Sequence, residues 1–330
     1  MNSEIFAEWL QRQGFSVFHS PSSYWVDTGA HALHAFPYHW VIQPSEEELS
    51  QLFRDTHTVA LRYSTPIDFP QGKISYHVLC ENKNYGLSTL NRQARQNVLR
   101  GLEYACVERI PLKKLAFEGW HLRQDTLARQ CRCGFENEKW WRNLCLSAED
   151  LPGIEAWGAL HAGQLIAAFL AIRCDNTYSF LYEQSATAYL HYRVNNALYF
   201  EATRQALCQQ DICCAFFGVN SLDAPVSVDE FKFRMGLKPR PVRQQVVFNP
   251  WFEPFANPTV HRMMLAALRH APQNYLLAKA EGMLRFHLQG MLPLNKQDWP
   301  ECLFDKKSGL SQAVIAQSTV ITKNSTTRAA

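Results

Sequence analysis

The sequence predicts an α/β fold, and the prediction rests on three observations. Three strand-like runs follow one another over residues 155–184, and residues 161–164 supply a turn between the first two. A helical pattern over residues 195–209 follows, with apolar residues near a 3.6-residue period. A further strand-like run, a short helix and a last strand over residues 243–249 complete the series. Strands that alternate with single helices are typical of an α/β protein.

Composition describes a folded globular chain. The 330 residues are 47% hydrophobic and 19% charged, which is enough length and apolar content for two domains. A net charge of +3 gives no overall basic field of the kind expected for a nucleic-acid-binding protein, although it allows a local basic face. The N-terminal residues lack a secretory pattern, and no apolar run reaches membrane-spanning length. Several of the ten cysteines lie inside apolar runs, so we expect a reduced, cytoplasmic protein without a membrane partner.

The first part of the chain offers a second series of strands and helices. Ser45 is a predicted helix cap, and Glu48 has the spacing of a capping box. Residues 88–101 have a helical pattern in which Arg92, Arg95 and Arg100 lie largely off the apolar stripe. Gly101 is predicted to end that helix as a C-cap, with a strand over residues 102–109 after it. Short strands are also predicted at 15–19, 23–28, 32–36, 58–63 and 74–80.

The order of elements resembles a known fold. The predicted order is strand, strand, strand, helix, strand, short helix and strand, and Phe231-Lys232 and residues 235–238 come after the last central strand. This order resembles the GNAT (N-acetyltransferase-like) fold. The likeness is greatest to its Fem-type branch, which includes the aminoacyltransferases of peptidoglycan bridges and has a comparable arginine-bearing helix in its first unit. The resemblance implies two GNAT-like units, each a mixed central sheet flanked by helices, with a helical C-terminal extension.

The predicted domain organisation is a series of consecutive segments. Residues 154–250 form the C-terminal GNAT-like unit, and residues 1–135 form the N-terminal one. Between them, residues 136–153 are polar and carry Trp140 and Trp141, which suits an inter-unit connection. The chain is then predicted to form a helical extension over residues 251–305 and a flexible tail over residues 306–330, where small polar residues leave little to bury.

The resemblance also implies where a donor would bind. In GNAT enzymes, backbone amides of the fourth strand hold the acyl carbonyl, and the next helix points its N-terminus at the pyrophosphate of coenzyme A. By order, that strand is residues 178–184 and the helix begins near residues 192–195. The loop over residues 185–196 contains no glycine, and Tyr189 and Tyr192 would crowd a phosphate cradle. Acyl-CoA therefore remains a possible cofactor, although the glycine loop that usually binds its pyrophosphate is missing. The missing loop favours aminoacyl-tRNA, the donor of Fem-type proteins, and it equally favours a unit that has lost catalysis.

The resemblance gives roles to individual residues. Glu183 is the predicted general base if burial raises its pKa, and Tyr182 is the second catalytic candidate. Each also has an ordinary structural explanation, as a strand carboxylate paired with an arginine and as a core aromatic side chain. The ammonium group of Lys232 could bind a phosphate or a carboxylate of the substrate, but a lysine on the solvent-exposed side of a helix would produce the same sequence pattern. The predicted donor- or substrate-binding residues are Lys232, Phe231, Arg193, Asn195 and Tyr178.

Two functions of different classes follow from these predictions. The first is an N-acyltransferase that moves an acyl group from a CoA thioester or aminoacyl-tRNA onto a small-molecule or peptide amine by direct attack. The alternative is a non-catalytic GNAT-like binding protein that has lost its donor site, in which Phe169, Phe180 or Phe216 would fill the void between strands four and five. No metal site is predicted, because Cys131-x-Cys133 has no second cysteine pair. The sequence leaves donor, acceptor and oligomeric state open.

Overall fold

The computed structural model describes residues 2–27, 31–130, 136–222 and 226–307. Cys131-x-Cys133 and residues 308–330 of the predicted tail lie outside the described residues. The strands are β1 Val17–His19, β2 Tyr24–Asp27, β3 Ala32–Phe36, β4 Ala60–Thr65, β5 Lys73–Cys80, β6 Cys106–Ile110, β7 Ile154–His161, β8 Gln164–Cys174, β9 Thr177–Ser185, β10 Cys214–Val219 and β11 Lys238–Phe248. The α-helices are α1 Ser3–Arg12, α2 Glu46–Thr56, α3 Arg92–Tyr104, α4 Leu112–Glu118, α5 Trp120–Arg129, α6 Glu138–Leu146, α7 Val194–Cys208, α8 Val226–Arg234, α9 Pro258–His270 and α10 Tyr275–Gly290.

The chain forms two compact units that alternate along the sequence. Unit A comprises Met1–Phe18, Val78–Val219 and Ala224–Lys238, and unit B comprises His19–His77, Asn220–Asp223 and Pro239–Ala330. This division differs from the consecutive segments predicted with boundaries at residues 135, 153 and 250. The reason is long-range pairing: β11, near the end of the series, pairs antiparallel with β4, so distant parts of the chain complete one unit.

Unit A is built on the strand order β5-β10-β9-β8-β7-β6, to which β5 contributes its last residues. Strands β6 to β9 pair antiparallel, and β10 joins β9 in parallel. Helix α7 makes the connection from β9 to β10, as a parallel pair requires. Trp157, Phe169, Tyr178 and Phe216 are fully buried in this unit. The sheet is therefore mixed and carries its crossover helix next to β9.

Unit B has the strand order β1-β2-β3-β4-β11-β5. Its β2–β3 pair is antiparallel, and α2 connects β3 to the parallel strand β4. The Ser45 side chain caps α2 by accepting the backbone N–H of Glu48 at 3.2 Å, which confirms the predicted cap. Unit B thus has an antiparallel strand pair, then a helix, then a parallel strand. Unit A has the same order of elements in β8, β9, α7 and β10. The predicted mixed sheet with flanking helices is confirmed, and each unit carries both parallel and antiparallel pairs.

The predicted helical extension is also present. Helices α9 and α10 follow the last strand, and their inner side packs into a cluster with Val246 and Phe248, to which α10 adds Leu284 and Phe286. Among the described residues, no helix combines the length and the apolar character needed to cross a bilayer.

The segment predicted as a connection, residues 136–153, contains a packed helix. Asn137 caps α6 by accepting the backbone N–H of Trp140 at 2.9 Å. Trp141, Leu144 and Cys145 lie on its inner side and are fully buried. Their i, i+3, i+4 spacing is that of a helix with one apolar face, which the many polar residues around it conceal in the sequence. The segment therefore belongs to the core of unit A.

Gly101 is a close-packing residue and not a helix terminus. Helix α3 continues through it to Tyr104, and β6 begins only at Cys106. A Cβ atom on Gly101 would lie 2.6 Å from the carbonyl oxygen of Arg193 and 2.8 Å from the Cβ of Ala197. Only glycine lets α3 approach the start of α7 this closely.

We expect Gly101→Ala to lower the free energy of unfolding by about 1–3 kcal/mol, because the new methyl group meets backbone that cannot move aside as a flexible side chain would. Urea unfolding measures the change. Gly86→Ala is the matched control, since its Cβ would meet nothing closer than 3.8 Å. Equal or higher stability of Gly101→Ala would show that the α3–α7 distance does not depend on this glycine.

Candidate active site on strand β9

Strand β9 contains one extra residue in the middle of its pairing with β8. Ala168 pairs with Gln184 and Leu170 with Leu181, so two steps on β8 match three on β9. Tyr182 lies within this bulge and has a φ of 53°, in the left-handed region that a tyrosine rarely adopts. Bulges of this kind change the direction of neighbouring side chains and are frequent beside active sites.

The side chain of Tyr182 lies in an aromatic cluster of unit A. Its ring meets Trp9, Trp140 and Trp141 edge-on at centroid distances of 6.3, 6.1 and 6.4 Å. The guanidinium of Arg123 lies 5.6 Å from the ring centroid. These contacts hold Tyr182 in its unusual backbone conformation, and Tyr182 does not line the cavity beside Glu183.

Strands β9 and β10 diverge before the bulge is reached. Their described pairing ends at Ser179 and Phe216. Aromatic rings fill the space next to the last pair: Phe180 and Phe217 stack at 4.2 Å, and Tyr199 stacks on Phe217 at 5.0 Å. Of the residues expected to fill such a void, Phe180 does so directly, and Phe169 meets it edge-on at 4.8 Å.

A cavity of about 210 Å³ remains further along β9. Its wall is formed by the end of α5, by Ala168 and Phe169 of β8, by Glu183 to Ser185 of β9, by the first turns of α7 and by α8. The cavity is smaller than the 300–1,000 Å³ typical of small-molecule sites. It has room for the reacting end of a substrate, and the remainder of a larger substrate would have to lie outside it.

Glu183 is the titratable side chain of β9 in this cavity. Its carboxylate accepts a hydrogen bond from the hydroxyl of Tyr199 on α7. The residue keeps partial solvent exposure, but protein atoms surround the carboxylate, and this burial raises its pKa from 4.5 to about 7. The cation of Lys232 opposes the increase, and the carboxylate of Asp229 adds to it. A carboxylate with a pKa near neutrality is suited to accepting a proton at physiological pH.

Lys232 is held close to this carboxylate from α8. Its ammonium group donates to the backbone carbonyl of Phe217 at 3.1 Å and lies 3.4 Å from Asp229, and its side chain is only 12% exposed. Phe231 lines the cavity and meets Tyr199 edge-on at 5.1 Å. The structure thus brings Glu183, Phe231 and the Lys232 charge together, as the sequence predicts for neighbours in one site.

Of the polar residues on the opposite wall, Asn195 is predicted from the sequence, whereas Arg129 and Gln184 are not. Arg129, at the end of α5, donates to the carbonyl of Ser185 at 3.2 Å and to the hydroxyl of Thr187 at 2.8 Å. Asn195 lines the cavity and donates to the hydroxyl of Ser185 at 3.2 Å. Gln184 is 3% exposed, and neither atom of its amide has a hydrogen-bond partner. No local pattern predicts the Arg129 contact, because 56 residues separate its two ends.

The loop ahead of α7 is filled by a 3-10 helix over Thr187–Tyr192. Arg193 follows in the left-handed conformation, with a φ of 66°, and its exposed side chain lies outside the cavity. The ring of Tyr192 stacks on Tyr104 of α3 at 3.6 Å, and Tyr104 stacks on His161 at 4.0 Å. The glycine-free loop is therefore an ordered, aromatic segment.

Tyr178 lies apart from these residues. It is fully buried, its hydroxyl donates to Glu155, and it accepts from the indole N–H of Trp157 at 2.8 Å. Burial raises the pKa of Tyr178. Its satisfied hydrogen bonds place it in the sheet core and outside the cavity lining.

Comparison with known proteins gives matches in structure only. No family model matches the sequence, and no curated protein matches it. FemX is similar with a TM-score of 0.52 at 10% identity, over 76% of this chain and 92% of FemX. A conserved protein of unknown function from Bacteroides thetaiotaomicron VPI-5482 is similar with a TM-score of 0.50 at 10% identity, over 74% and 88% of the two chains.

A GCN5-related N-acetyltransferase from Kribbella flavida also matches, at a TM-score of 0.42 and 10% identity, over 76% of this chain and 96% of that one. At such low identities a structural likeness shows the fold and nothing more. Together with the mixed sheets, the bulged β9 and the divergence of β10, the match to FemX confirms that the chain has a GNAT-like fold of the Fem type.

Proposed function

We propose that unit A transfers an aminoacyl or other acyl group onto an amine, with Glu183 as the general base. The observation that carries the proposal is the Glu183 carboxylate, which lines the cavity next to the β9 bulge and has a pKa of about 7. In this reaction the amine nitrogen attacks the acyl carbonyl carbon, and a C–N bond forms as the ester or thioester bond breaks. The amine proton passes to Glu183, and the leaving oxygen or sulfur takes up a proton.

Other groups would assist the step. Backbone amides of β9 beyond Ser179, where the described β10 pairing ends, supply donors for the carbonyl oxygen as charge develops on it. Lys232 stabilises the ionised form of Glu183 and can attract an anionic part of donor or acceptor. Arg193 and Asn195 stand at the start of α7, where an anion would gain from the helix dipole. The fold supports this class of reaction by analogy, and the residues supply the chemistry.

For the donor, we favour aminoacyl-tRNA over acyl-CoA. Two observations argue against a coenzyme A site: the 3-10 helix occupies the loop where a pyrophosphate would lie, and stacked rings fill the divergence of β9 and β10. Helix α3 favours a polyanion, since Arg92 and Arg100 are exposed and no acidic residue occurs over residues 82–102.

We expect a charged tRNA mixture, and not acetyl-CoA or longer acyl-CoAs, to stabilise the protein in thermal-shift measurements. A ligand at a hundred times its dissociation constant adds about 2.7 kcal/mol to the free energy of unfolding. The double variant Arg92→Glu with Arg100→Glu should reduce the stabilisation by tRNA. The slope of log binding constant against log salt concentration should fall by about 1 for each phosphate contact that the two arginines make. Arg54→Glu, an exposed change on α2, is the matched control. Stabilisation by an acyl-CoA would contradict this choice of donor.

The charges around Glu183 allow a test with opposite signs. Lys232→Met removes the cation that lowers the Glu183 pKa, so we expect the acidic limb of the pH–rate profile to move above about pH 7. Asp229→Asn removes the carboxylate that raises this pKa, so the limb should move to lower pH. Shifts in the same direction, or no shift, would show that Glu183 is not the group that titrates.

A non-catalytic binding function is the second candidate. The stack of Phe180, Phe217 and Tyr199 favours it, because these rings occupy space that a donor would need. If neither tRNA nor acyl-CoA stabilises the protein, this candidate is preferred. Lys232→Ala would then be assayed for loss of a bound partner in place of loss of rate.

A further inference from the structure

We infer that unit B docks on an anionic membrane surface through residues 251–270, a peripheral contact that is independent of the proposed transfer reaction. The stretch, called here the 251–270 surface, exposes large apolar side chains to solvent. Trp251 is 57% exposed, Phe255 56%, Met263 66% and Leu265 39%. Isolated exposed apolar residues are ordinary, whereas four of them lie within 20 residues of sequence here.

Helix α9 packs on unit B by one side only. Its inner side already packs through Val260 and Met264 against the cluster of Val246 and Phe286. No residue of α9 is fully buried, so the helix lies on the surface of unit B with one side covered. The apolar groups that remain exposed are therefore additional to those that hold the helix in place.

The charge of this region selects the partner. The chain has 30 acidic residues in 330, about one in eleven, yet residues 254–280 contain none. The same 27 residues carry Arg262, Arg269 and Lys279, and the only acidic residue of the 251–270 surface is Glu253. Arg262 and Arg269 are exposed. Each such cation near an anionic bilayer contributes about fivefold to binding, the equivalent of about 1 kcal/mol.

An anionic membrane fits both properties at once. Aromatic and methionine side chains can enter the boundary between headgroups and acyl chains, while arginines on the same stretch reach the lipid phosphates. Nucleic acid would use the arginines but leave the apolar groups in water. A lipid surface also requires no shaped complementary partner, which suits side chains that project from a helix and its preceding turn.

The test is co-sedimentation of the full chain with vesicles of phosphatidylcholine alone and with vesicles that also contain phosphatidylglycerol. We expect binding to the second kind only, weakened by salt. Arg262→Glu with Arg269→Glu should reduce vesicle partition by about 25-fold or more, from about fivefold per cation. Phe255→Ser with Met263→Ser should also reduce it. Arg54→Glu and Phe117→Ser change an exposed arginine and a 49%-exposed phenylalanine elsewhere and should have no effect.

Equal binding to both kinds of vesicle, binding to neither, or partition unchanged by these variants would overturn the inference. So would sedimentation velocity showing that Met263→Ser converts a dimer to a monomer, because a second copy of the chain would then cover the surface. The substituted side chains are exposed, so each variant is expected to fold, and circular dichroism checks this. Failure here would leave the transfer reaction untouched, since all variants except the Phe117 control lie in unit B.

Discussion

Replacing Glu183 with glutamine is expected to slow acyl transfer by about 10²–10⁴-fold and, at the same time, to make the protein more stable above neutral pH. The loss of rate follows from the loss of a general base, which typically contributes a factor of this size. Glutamine keeps the shape of the side chain and still accepts the hydrogen bond from Tyr199. The rate is measured with the donor that thermal-shift experiments identify.

The gain in stability follows from proton linkage. The pKa of Glu183 is about 7 in the folded protein and near 4.5 in the unfolded chain, so the folded state binds the proton more tightly. Between these values, stability of the natural protein falls by about 1.4 kcal/mol for each pH unit, and the fall ends once pH exceeds the folded pKa. Glu183→Gln lacks this loss. We therefore expect an advantage of about 3 kcal/mol above about pH 8 that disappears below about pH 4.5.

Urea unfolding over this pH range measures the advantage without any knowledge of the substrate. Glu230→Gln, a 54%-exposed change on α8, is the control and should alter neither stability nor rate. A constant difference between Glu183→Gln and the natural protein at all pH values would show that the Glu183 pKa is not raised. Loss of rate with no gain in stability would separate the role of the carboxylate in catalysis from its burial.

Trp141→Ala is expected to produce the largest loss of stability among these variants, about 3–5 kcal/mol. The indole is fully buried and donates its N–H to the carbonyl of Leu115 at 3.1 Å, so the change leaves a cavity and removes one of the two hydrogen bonds that this carbonyl accepts, the other coming from the backbone N–H of Gly119. It also removes a ring that holds Tyr182 in the bulge next to Glu183. We therefore expect the remaining folded protein to transfer more slowly.

Chemical denaturation measures the stability change, and rates are compared at equal concentrations of folded protein. Trp251→Ala is the matched control, because that indole is 57% exposed and its removal creates no cavity. Transfer at the natural rate by folded Trp141→Ala would show that the bulge keeps its geometry without the aromatic cluster.

The sequence patterns predicted those parts of the fold that are set by local periodicity. Strands β7 to β9, helix α7 and the position of Glu183 follow from alternation and helical spacing within short windows. Glu183 and Phe231 were placed in one site because the element order matched a known fold, and they line one cavity. Their functional roles stay predictions until the substitutions are made.

What the patterns could not predict depends on contacts between distant segments. In a sequence, a glycine that ends a helix cannot be told from a glycine that lets another helix approach closely. Gly101 is of the second kind, because it lies against the start of α7. Helix α6 was concealed by polar residues around Trp141. The Arg129–Ser185 contact and the pairing of β4 with β11 join residues that no local window contains.

The alternation of units A and B along the chain has a consequence for biosynthesis. The segments of unit A end at Lys238, whereas unit B lacks β11 until Phe248 has been added. Because β11 lies between β4 and β5 in the strand order, the early strands of unit B emerge from the ribosome with open edges. All segments of unit A are therefore synthesised before unit B is complete. A ribosome stalled before residue 238 would release a product whose unpaired strands are prone to aggregation.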